Sequence, residues 1–249
     1  MKTIFDFGMC DATDTVYFLE EGFKVVAVEA NPALVQNVSS MIGHYIESGQ
    51  LHIINGAIST NNNPVELTVC GDDVGSSSIY EHKVAARLPL GKFTVLGVTT
   101  QEIMGRFGVP YYLKVDLEGA DRLAVLALSA AQRPEYLSFE IGDDFEELLT
   151  YVSLIGYSRF KIINQTSFRE IENQSNLKDR VTRKIIRCLG YTEPRSVRRK
   201  GRYFELGRSS GPAPWCSDGR WCDQETVLRK WIKVKASRTA NWWYDLHAA

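Results

Sequence analysis

The sequence lacks the features that mark membrane, secreted and strongly charged proteins. No apolar run approaches the roughly 18 residues that cross a bilayer, and the apolar stretch at residues 4–7 is too short for a signal peptide. A net charge of -1 gives no overall attraction to nucleic acid or lipid. Five cysteines at scattered positions, an odd number, favour reduced thiols. These absences predict a cytoplasmic protein with no membrane span, folded as a single domain over residues 1–249.

What the sequence does have is an alternation of strand and helix patterns over its first 165 residues. Near-continuous apolar segments such as KVVAVEA are typical of strands that are buried on both faces of a parallel sheet. Apolar residues recur at helical spacing after Pro32, and side-chain oxygens of Thr13, Asp14 and Thr15 are expected to cap the first helix. The series predicts an α/β fold, namely a doubly wound, mostly parallel sheet with helices on both faces.

The region after residue 166 has a different composition. Between residues 178 and 202, ten basic residues face two acidic ones, a surplus of eight positive charges. We predict an insert or lid over residues 166–221 that forms part of a substrate site, with Arg198 and Arg199 contacting an acidic or glycosidic acceptor. The alternative is a solvated helix face that balances acidic surface elsewhere.

Acidic residues stand at four of the five strand ends where open α/β sheets bind their ligands. Buried carboxylates without partners cost several kcal/mol each, so we expect a ligand that carries hydroxyls, cations or both. Glu29 is placed to accept both hydroxyls of an adenosine ribose, although a helix cap before Pro32 is an alternative role. The residues at the strand ends are Asp6, Gly8, Glu29, Ala30, Asn31, Asn55, Ala57, Ile58, Asp116, Glu118 and Glu140.

The loop IFDFGMCDATDT departs from a dinucleotide-binding loop. Such loops carry three glycines at alternate positions, and here Cys10 and Ala12 follow Gly8. A pyrophosphate needs bare glycine backbone and few acidic neighbours, yet Asp11 and Asp14 stand in the loop. The loop therefore favours S-adenosylmethionine, whose sulfonium and ammonium groups are positive, over NAD.

Several segments together resemble the FkbM family of S-adenosylmethionine-dependent methyltransferases. They are IFDFGMCDATDTVYFLEEGFKVVAVEANP, NGAIS, SSSIY and YLKVDLEGAD, with weaker likeness in YLSFEIG and WWYDLH. The resemblance implies a Rossmann-like class I fold with a seven-stranded sheet, and O-methylation of a sugar, polyketide or related hydroxyl. Cys10 and Ala12 depart from the family pattern.

The resemblance also implies roles for residues of the cofactor site. Asp6, Gly8 and Thr15 would line the methionine end of S-adenosylmethionine, and Glu29 would bind the ribose. The remaining members are Ala57 and Ile58 at the adenine, together with Met9, Thr13, Asp14, Ala30, Asn31, Asn55, Ser77 and Asp116.

The loop after the fourth strand reads DLEG, without the Pro-Pro-aromatic sequence common in enzymes that methylate base nitrogens. Carboxylates there suit the removal of a hydroxyl proton. The tail is expected to be anchored by its aromatic residues and to bring a histidine, a plausible general base, beside these carboxylates. The predicted catalytic residues are Asp116, Glu118, Glu140 and His247, and the predicted acceptor contacts include Lys114 and Asp245.

Other functions stay open at this point. A nucleic-acid-directed methyltransferase could use residues 178–202 and stack bases on its aromatic residues, although the DLEG loop and the near-neutral charge make nucleic acid an unlikely partner. An NAD-dependent oxidoreductase and a non-catalytic cofactor-binding protein are further alternatives. His247 could instead fix the tail through a hydrogen bond. A divalent cation could be held by the same carboxylates, but the sequence does not require one, and Cys216 and Cys222 lack the second pair of a zinc site.

Overall fold

A computed structural model describes residues 1–70, 77–80, 89–171, 196–199, 201–236 and 243–249. The chain divides into two compact units, Met1–Gly156 and Tyr157–Ala249. Most of the basic segment 178–202 lies outside the described residues, so its predicted role as a substrate-facing lid stays a prediction. Among the described helices, none combines the length and apolar character that crossing a membrane demands.

The first unit alternates strands and helices, as the sequence predicts. The segment Val65–Cys70 forms a strand that pairs antiparallel with Pro89–Val95, while Ala57–Ile58 pairs in parallel with Gly97–Val98. In chain order the elements are β1 Thr3–Phe7, α1 Thr13–Glu20, β2 Lys24–Glu29, α2 Pro32–Met41, α3 Gly43–Glu47, β3 Leu51–Asn55, β4 Ala57–Ile58, β5 Val65–Cys70, β6 Pro89–Val95, β7 Gly97–Val98, α4 Thr100–Phe107, β8 Tyr112–Val115, α5 Asp121–Leu126, β9 Tyr136–Glu140 and α6 Phe145–Leu154.

Five strands of this unit form a parallel sheet in the order β9-β8-β1-β2-β3. The apolar runs of the sequence become these strands because nearly every residue of β1, β2 and β8 is buried. The chain runs outward from β1 through β2 to β3, and β8 and β9 occupy the other side of β1. α1 contacts β1 and β2, α2 contacts β2 and β3, and α5 contacts β8 and β9. The predicted parallel sheet flanked by helices is confirmed here, and right-handed crossovers would place α5 on the face opposite α1 and α2.

Over its described residues, the second unit contains three antiparallel strands, a hairpin and one helix. The strand Phe160–Asn164 pairs with both Arg169–Glu170 and Tyr244–Ala248, and Ser196–Arg199 pairs with Arg202–Glu205. The predicted anchoring of the tail by its aromatic residues is confirmed for Tyr244, which is buried and whose ring meets Trp231 edge-on with centroids 5.7 Å apart. It is not confirmed for Trp243, which is 38% exposed, and Trp242 lies outside the described residues. The elements are β10 Phe160–Asn164, β11 Arg169–Glu170, β12 Ser196–Arg199, β13 Arg202–Glu205, α7 Gln224–Ala236 and β14 Tyr244–Ala248.

Two structural expectations are wrong. The sequence predicts a sheet of seven strands, but there are eight, five parallel and three antiparallel. The difference arises because the tail forms a strand and because β11, only two residues long, carries no apolar run that a sequence pattern could display. The first helix is not capped by the residues expected. Its N-cap is Ala12, with left-handed φ of 66° and no side-chain bond, while the Asp11 carboxylate accepts the Thr13 N–H at 3.0 Å.

Candidate functional site

The loops after β1 and β8 meet where the strand order reverses, which is the usual ligand crevice of open α/β sheets. The Asp116 N–H donates to the Phe7 carbonyl at 2.9 Å. Gly8 has a φ of +88°, and a Cβ built there would overlap the carbonyl oxygen of Asp116. Only glycine fits this crossing, so the close approach of the two loops depends on Gly8.

Lys114 lies at the centre of a carboxylate cluster at this crossing. Its ammonium is 3.2 Å from the Asp6 carboxylate and 3.5 Å from those of Asp14 and Asp116. Thr15 donates to the second Asp6 oxygen at 2.6 Å. The Lys114, Asp6 and Asp14 side chains are at most 6% exposed, whereas Asp116 is 39% exposed. Asp116 is therefore the side of the cluster that a ligand can reach.

The cluster holds more negative than positive charge. Burial alone lowers the pKa of Lys114, but Asp6, Asp116 and Asp14 outweigh it and keep that pKa well above its ordinary value. The pKa of Asp6 is raised, first by burial and also by Asp14, although Lys114 opposes both. Three carboxylates share one ammonium, so the approach of a second cation would be favourable.

Glu29, at the end of β2, accepts hydrogen bonds from the backbone of two loops, the one after β1 and the one after β2. Its two oxygens accept the N–H groups of Cys10 at 2.8 Å and Asn31 at 2.7 Å. Burial raises the pKa of Glu29, while these two hydrogen bonds lower it. The α2 cap is Asn31 itself, whose side chain accepts the Ala33 N–H at 3.0 Å. Carboxylate oxygens accept more than one hydrogen bond, so ribose binding by Glu29 stays a prediction.

The N–H groups of the β1–α1 loop are already engaged. Those of Gly8 and Met9 both donate to the Val28 carbonyl, at 3.0 and 3.1 Å, and that of Cys10 donates to Glu29. Acceptors within the loop bind two more, the N–H groups of Ala12 and Thr13. A phosphate-binding loop needs these donors pointing at its ligand, so this arrangement disfavours a pyrophosphate. Sequence reasoning reached the same conclusion from the missing glycines and the acidic residues of the loop.

Other residues predicted to bind the cofactor contact the neighbouring backbone or pack in an apolar cluster. The Asn55 amide donates to the carbonyls of Glu29 and Ala30, at 2.9 and 3.2 Å. Ala57 and Ile58 are buried, and Ala57 packs in an apolar cluster with Leu67, Val69 and Val95. The Ser77 hydroxyl accepts the Cys70 N–H at 3.4 Å. Adenine binding by Ala57 and Ile58 stays a prediction.

Sequence reasoning missed two residues that hold the loop after β8. The Ser78 hydroxyl donates to the Glu118 carbonyl at 2.8 Å, and Ser78 is in turn paired with Thr68 through both backbone groups. Asp121 accepts the N–H groups of Leu117 at 3.4 Å and Gly119 at 3.1 Å. The signal for Asp121 was an aspartate directly after a turn that contains glycine, a common acceptor of turn N–H groups. Glu140 ends β9, the strand beside β8.

Two predicted acceptor contacts and the predicted general base have buried side chains. Lys114 is enclosed in the ion cluster described above, and its assignment as an acceptor contact stays a prediction. His247 is 2% exposed, and its Nδ1 lies 3.0 Å from the Ser217 hydroxyl. Burial, and then Lys161, lower the pKa of His247 well below its ordinary value. These contacts favour the alternative in which His247 fixes the tail. Asp245 is 7% exposed on the same strand.

The two arginines predicted to bind an acceptor lie on β12. Arg199 donates to the Ser167 carbonyl at 2.7 Å and to the Arg198 carbonyl at 3.1 Å. The Arg198 guanidinium lies 5.9 Å from the centre of the Tyr203 ring. Within the described residues, no three or more His, Cys, Asp and Glu side chains are grouped as a metal site.

No family model and no curated protein matches the chain. The chain is similar to the crystal structure of a TehB-like SAM-dependent methyltransferase from Corynebacterium glutamicum, at 10% identity and a TM-score of 0.36, over 65% of this chain and 68% of that one. It is also similar to Haemonchus contortus phosphoethanolamine N-methyltransferase 2 in complex with S-adenosyl-L-methionine, at 8% identity and a TM-score of 0.37. That match covers 100% of this chain and 48% of the other, so the chain spans about half of that protein. Similarities this low assign neither a family nor a substrate.

Proposed function

We propose that this chain is an S-adenosylmethionine-dependent methyltransferase that methylates a hydroxyl oxygen of a small-molecule acceptor. The observation that carries the proposal is the cluster at the meeting of β1 and β8, where the carboxylates of Asp6, Asp14 and Asp116 surround a single ammonium. Its exposed member, Asp116, presents negative charge to the crevice. A ligand with a sulfonium and an ammonium supplies the missing positive charge.

The rest of the crevice fits an adenosine better than a dinucleotide. Glu29 stands at the end of β2, where a carboxylate binds ribose hydroxyls. The engaged N–H groups of the β1–α1 loop offer little to a pyrophosphate, which weighs against NAD. The family resemblance of the sequence supports the same cofactor.

Bound S-adenosylmethionine would supply an electrophilic methyl group and leave as a neutral thioether. Asp116 takes up the hydroxyl proton of the acceptor as its oxygen forms the new bond to carbon, a contribution of about 10²–10⁴-fold in rate. Glu118 and Glu140, which follow β8 and end β9, orient the acceptor at the same sheet edge. Lys114 keeps Asp116 in place through the 3.5 Å ion pair.

The acceptor class rests on the chain's charges and on resemblance. The surplus of eight positive charges over residues 178–202 favours an acceptor that bears phosphate or carboxylate, such as a nucleotide sugar or acidic glycoside. Methyl transfer to such an acceptor should have a KM that rises with salt, because screening weakens attraction between exposed charges. A neutral acceptor with a salt-independent KM would remove this part of the proposal.

Calorimetric titration tests the cofactor directly. The protein should bind S-adenosylmethionine and S-adenosylhomocysteine and show no heat with NAD. Glu29→Ala should weaken binding of both by about 1.5–3 kcal/mol, the usual contribution of hydrogen bonds to a charged group. Glu47→Ala, at an exposed position at the end of α3, is the matched control and should leave both affinities unchanged. Binding of NAD in place of S-adenosylhomocysteine contradicts the proposal.

A further inference from the structure

Asp121 is built into the turn that follows β8. It is the first residue of α5, whose N-cap Ala120 makes no side-chain cap bond. The Asp121 carboxylate turns back and accepts the N–H groups of Leu117 at 3.4 Å and Gly119 at 3.1 Å. The residue is 6% exposed. The carboxylate therefore belongs to the loop before the helix.

That loop needs to be held from more than one side. Glu118 and Gly119 both have left-handed backbone, with φ of 48° and 99°. A non-glycine residue in this region costs about 1–2 kcal/mol, so the turn persists only when its surroundings enforce it. Asp121 binds the residues on either side of Glu118, and the Ser78 hydroxyl binds the Glu118 carbonyl at 2.8 Å. Asp116 is the residue directly before this held turn.

We propose that Asp121 is a positioning residue that aims the Asp116 carboxylate at the transferred methyl group by fixing the backbone of Leu117 and Gly119. The inference rests on the proposed function of the crevice. It assigns a purpose to a buried carboxylate that accepts hydrogen bonds from the turn between β8 and α5.

Holding this turn with an ionised Asp121 carboxylate has a free-energy cost. Burial first, and the nearby charge of Asp116 second, raise the pKa of Asp121 to about 6, so the ionised form is disfavoured in the fold. An asparagine would supply one acceptor oxygen without that repulsion. A carboxylate has two acceptor oxygens and can hold both N–H groups at once, which fixes the turn more rigidly than one bond.

The ratio of the affinities for S-adenosylmethionine and S-adenosylhomocysteine reports the direction of Asp116 without any acceptor. The two ligands share adenosine and amino acid, and they differ in one methyl group and one positive charge. If the Asp116 carboxylate is aimed at that charge, removing the carboxylate weakens the binding of S-adenosylmethionine more than that of S-adenosylhomocysteine. A general loosening of the fold weakens both alike.

The experiment is a double-mutant cycle by calorimetry with Asp116→Asn, Asp121→Asn and the pair. Asp116→Asn should lower the affinity ratio by about 5–10-fold, and Asp121→Asn by about 3–5-fold, with S-adenosylhomocysteine affinity within about 2-fold of the parent. The pair should equal Asp116→Asn alone, because Asp121 acts through Asp116. Glu146→Gln removes one carboxylate from the first turn of α6 and is the matched control, with no change expected.

The results distinguish a failure of the positioning role of Asp121 from a failure of the proposed cofactor assignment. Binding of both ligands with an unchanged ratio in Asp121→Asn, or with equal losses for both, overturns the positioning role and leaves the cofactor assignment standing. Independent, additive effects of the two substitutions also overturn it. A parent protein that binds neither ligand overturns both proposals. Asp121→Ser, which keeps one acceptor, is the second variant should Asp121→Asn fail to fold, and its ratio is judged by the same criteria.

Discussion

Each unit of the protein contains a lysine buried on a strand, and the two lysines have opposite surroundings. Lys114 of β8 and Lys161 of β10 are 3% and 2% exposed. Lys114 lies within 3.5 Å of three carboxylates. Lys161 donates to the Ser217 carbonyl at 2.9 Å and lies 4.4 Å from the centre of the Trp221 ring. The segments YLKV and FKII give no hint of this difference, so it depends on the neighbours that the fold brings to each lysine.

The neighbours of Lys161 also bear on the prediction that His247 is a general base. The two residues are opposite each other in the β10–β14 register. A positive charge beside a buried imidazole disfavours its protonation, and the pKa of His247 is lowered by burial and then by Lys161. A base that must take a proton near neutral pH is poorly served by this position. These contacts favour a structural role for Lys161, Ser217 and His247 in the second unit.

The largest expected effect comes from breaking the crossing that brings Asp116 to Lys114. Gly8→Ala places a methyl group on the Asp116 carbonyl, which only a backbone shift can relieve. We expect a loss of more than about 4 kcal/mol in unfolding free energy. Gly22→Ala is the control, because Gly22 has nearly the same φ, +86°, and nothing within 4 Å of its added Cβ. It should cost about 1–2 kcal/mol. Equal losses in urea unfolding would show that the close crossing is absent.

Removing the cation of the first cluster comes next. Lys114→Met leaves three carboxylates close together without their ammonium, and breaking a buried ion pair from one side costs about 3–5 kcal/mol. Lys92→Met is the control, since its 2.8 Å pair with Glu66 is exposed and contributes about 0–1 kcal/mol. Urea unfolding at neutral pH measures both. A loss below about 1 kcal/mol for Lys114→Met would mean that the cluster is not buried as described.

A pH series sharpens the electrostatic side of the first unit. The folded-state pKa of Asp121, about 6, lies above its ordinary value of 3.8, so the folded state binds the proton more tightly. Its contribution to stability is therefore present below about pH 4 and lost as pH rises through 6, a change of about 3 kcal/mol. The unfolding free energy of Asp121→Asn should rise relative to the parent over this range. Glu146→Gln should run parallel to the parent. A constant difference between Asp121→Asn and the parent contradicts the raised pKa.

The smallest effect is expected at the second lysine. Lys161→Met loses one charged hydrogen bond and one ring contact, and a methionine can still fill the buried space, so we expect a loss of about 1–2 kcal/mol. S-adenosylhomocysteine affinity should not change. A loss of unfolding free energy as large as that of Lys114→Met, or weaker binding of S-adenosylhomocysteine, would contradict the contrast between the two lysines. Urea unfolding and calorimetry on the same samples measure both quantities.

The sequence by itself determined the order of strands and helices in the first unit and the residues at the strand ends. Apolar runs such as KVVAVEA are strands with buried centres, and Glu29 and Asp116 stand where the strand-end rule places them. These features depend on local pattern and on general rules of chain connection, which a sequence displays directly. The unusual Gly8, Cys10, Ala12 series also indicated an atypical loop, which the engaged N–H groups explain.

Only the tertiary structure decided what each charged side chain does. Asp6 and Lys114 are 108 positions apart in the chain and meet because β1 and β8 are neighbours in the sheet. Asp121 holds the β8 loop through contacts that no periodicity displays, and His247 is paired with Ser217 from 30 positions away. Burial, ion pairing and pKa depend on which distant groups the fold brings within a few ångströms, so the same residue type lies among carboxylates in one place and beside a carbonyl and an aromatic ring in another.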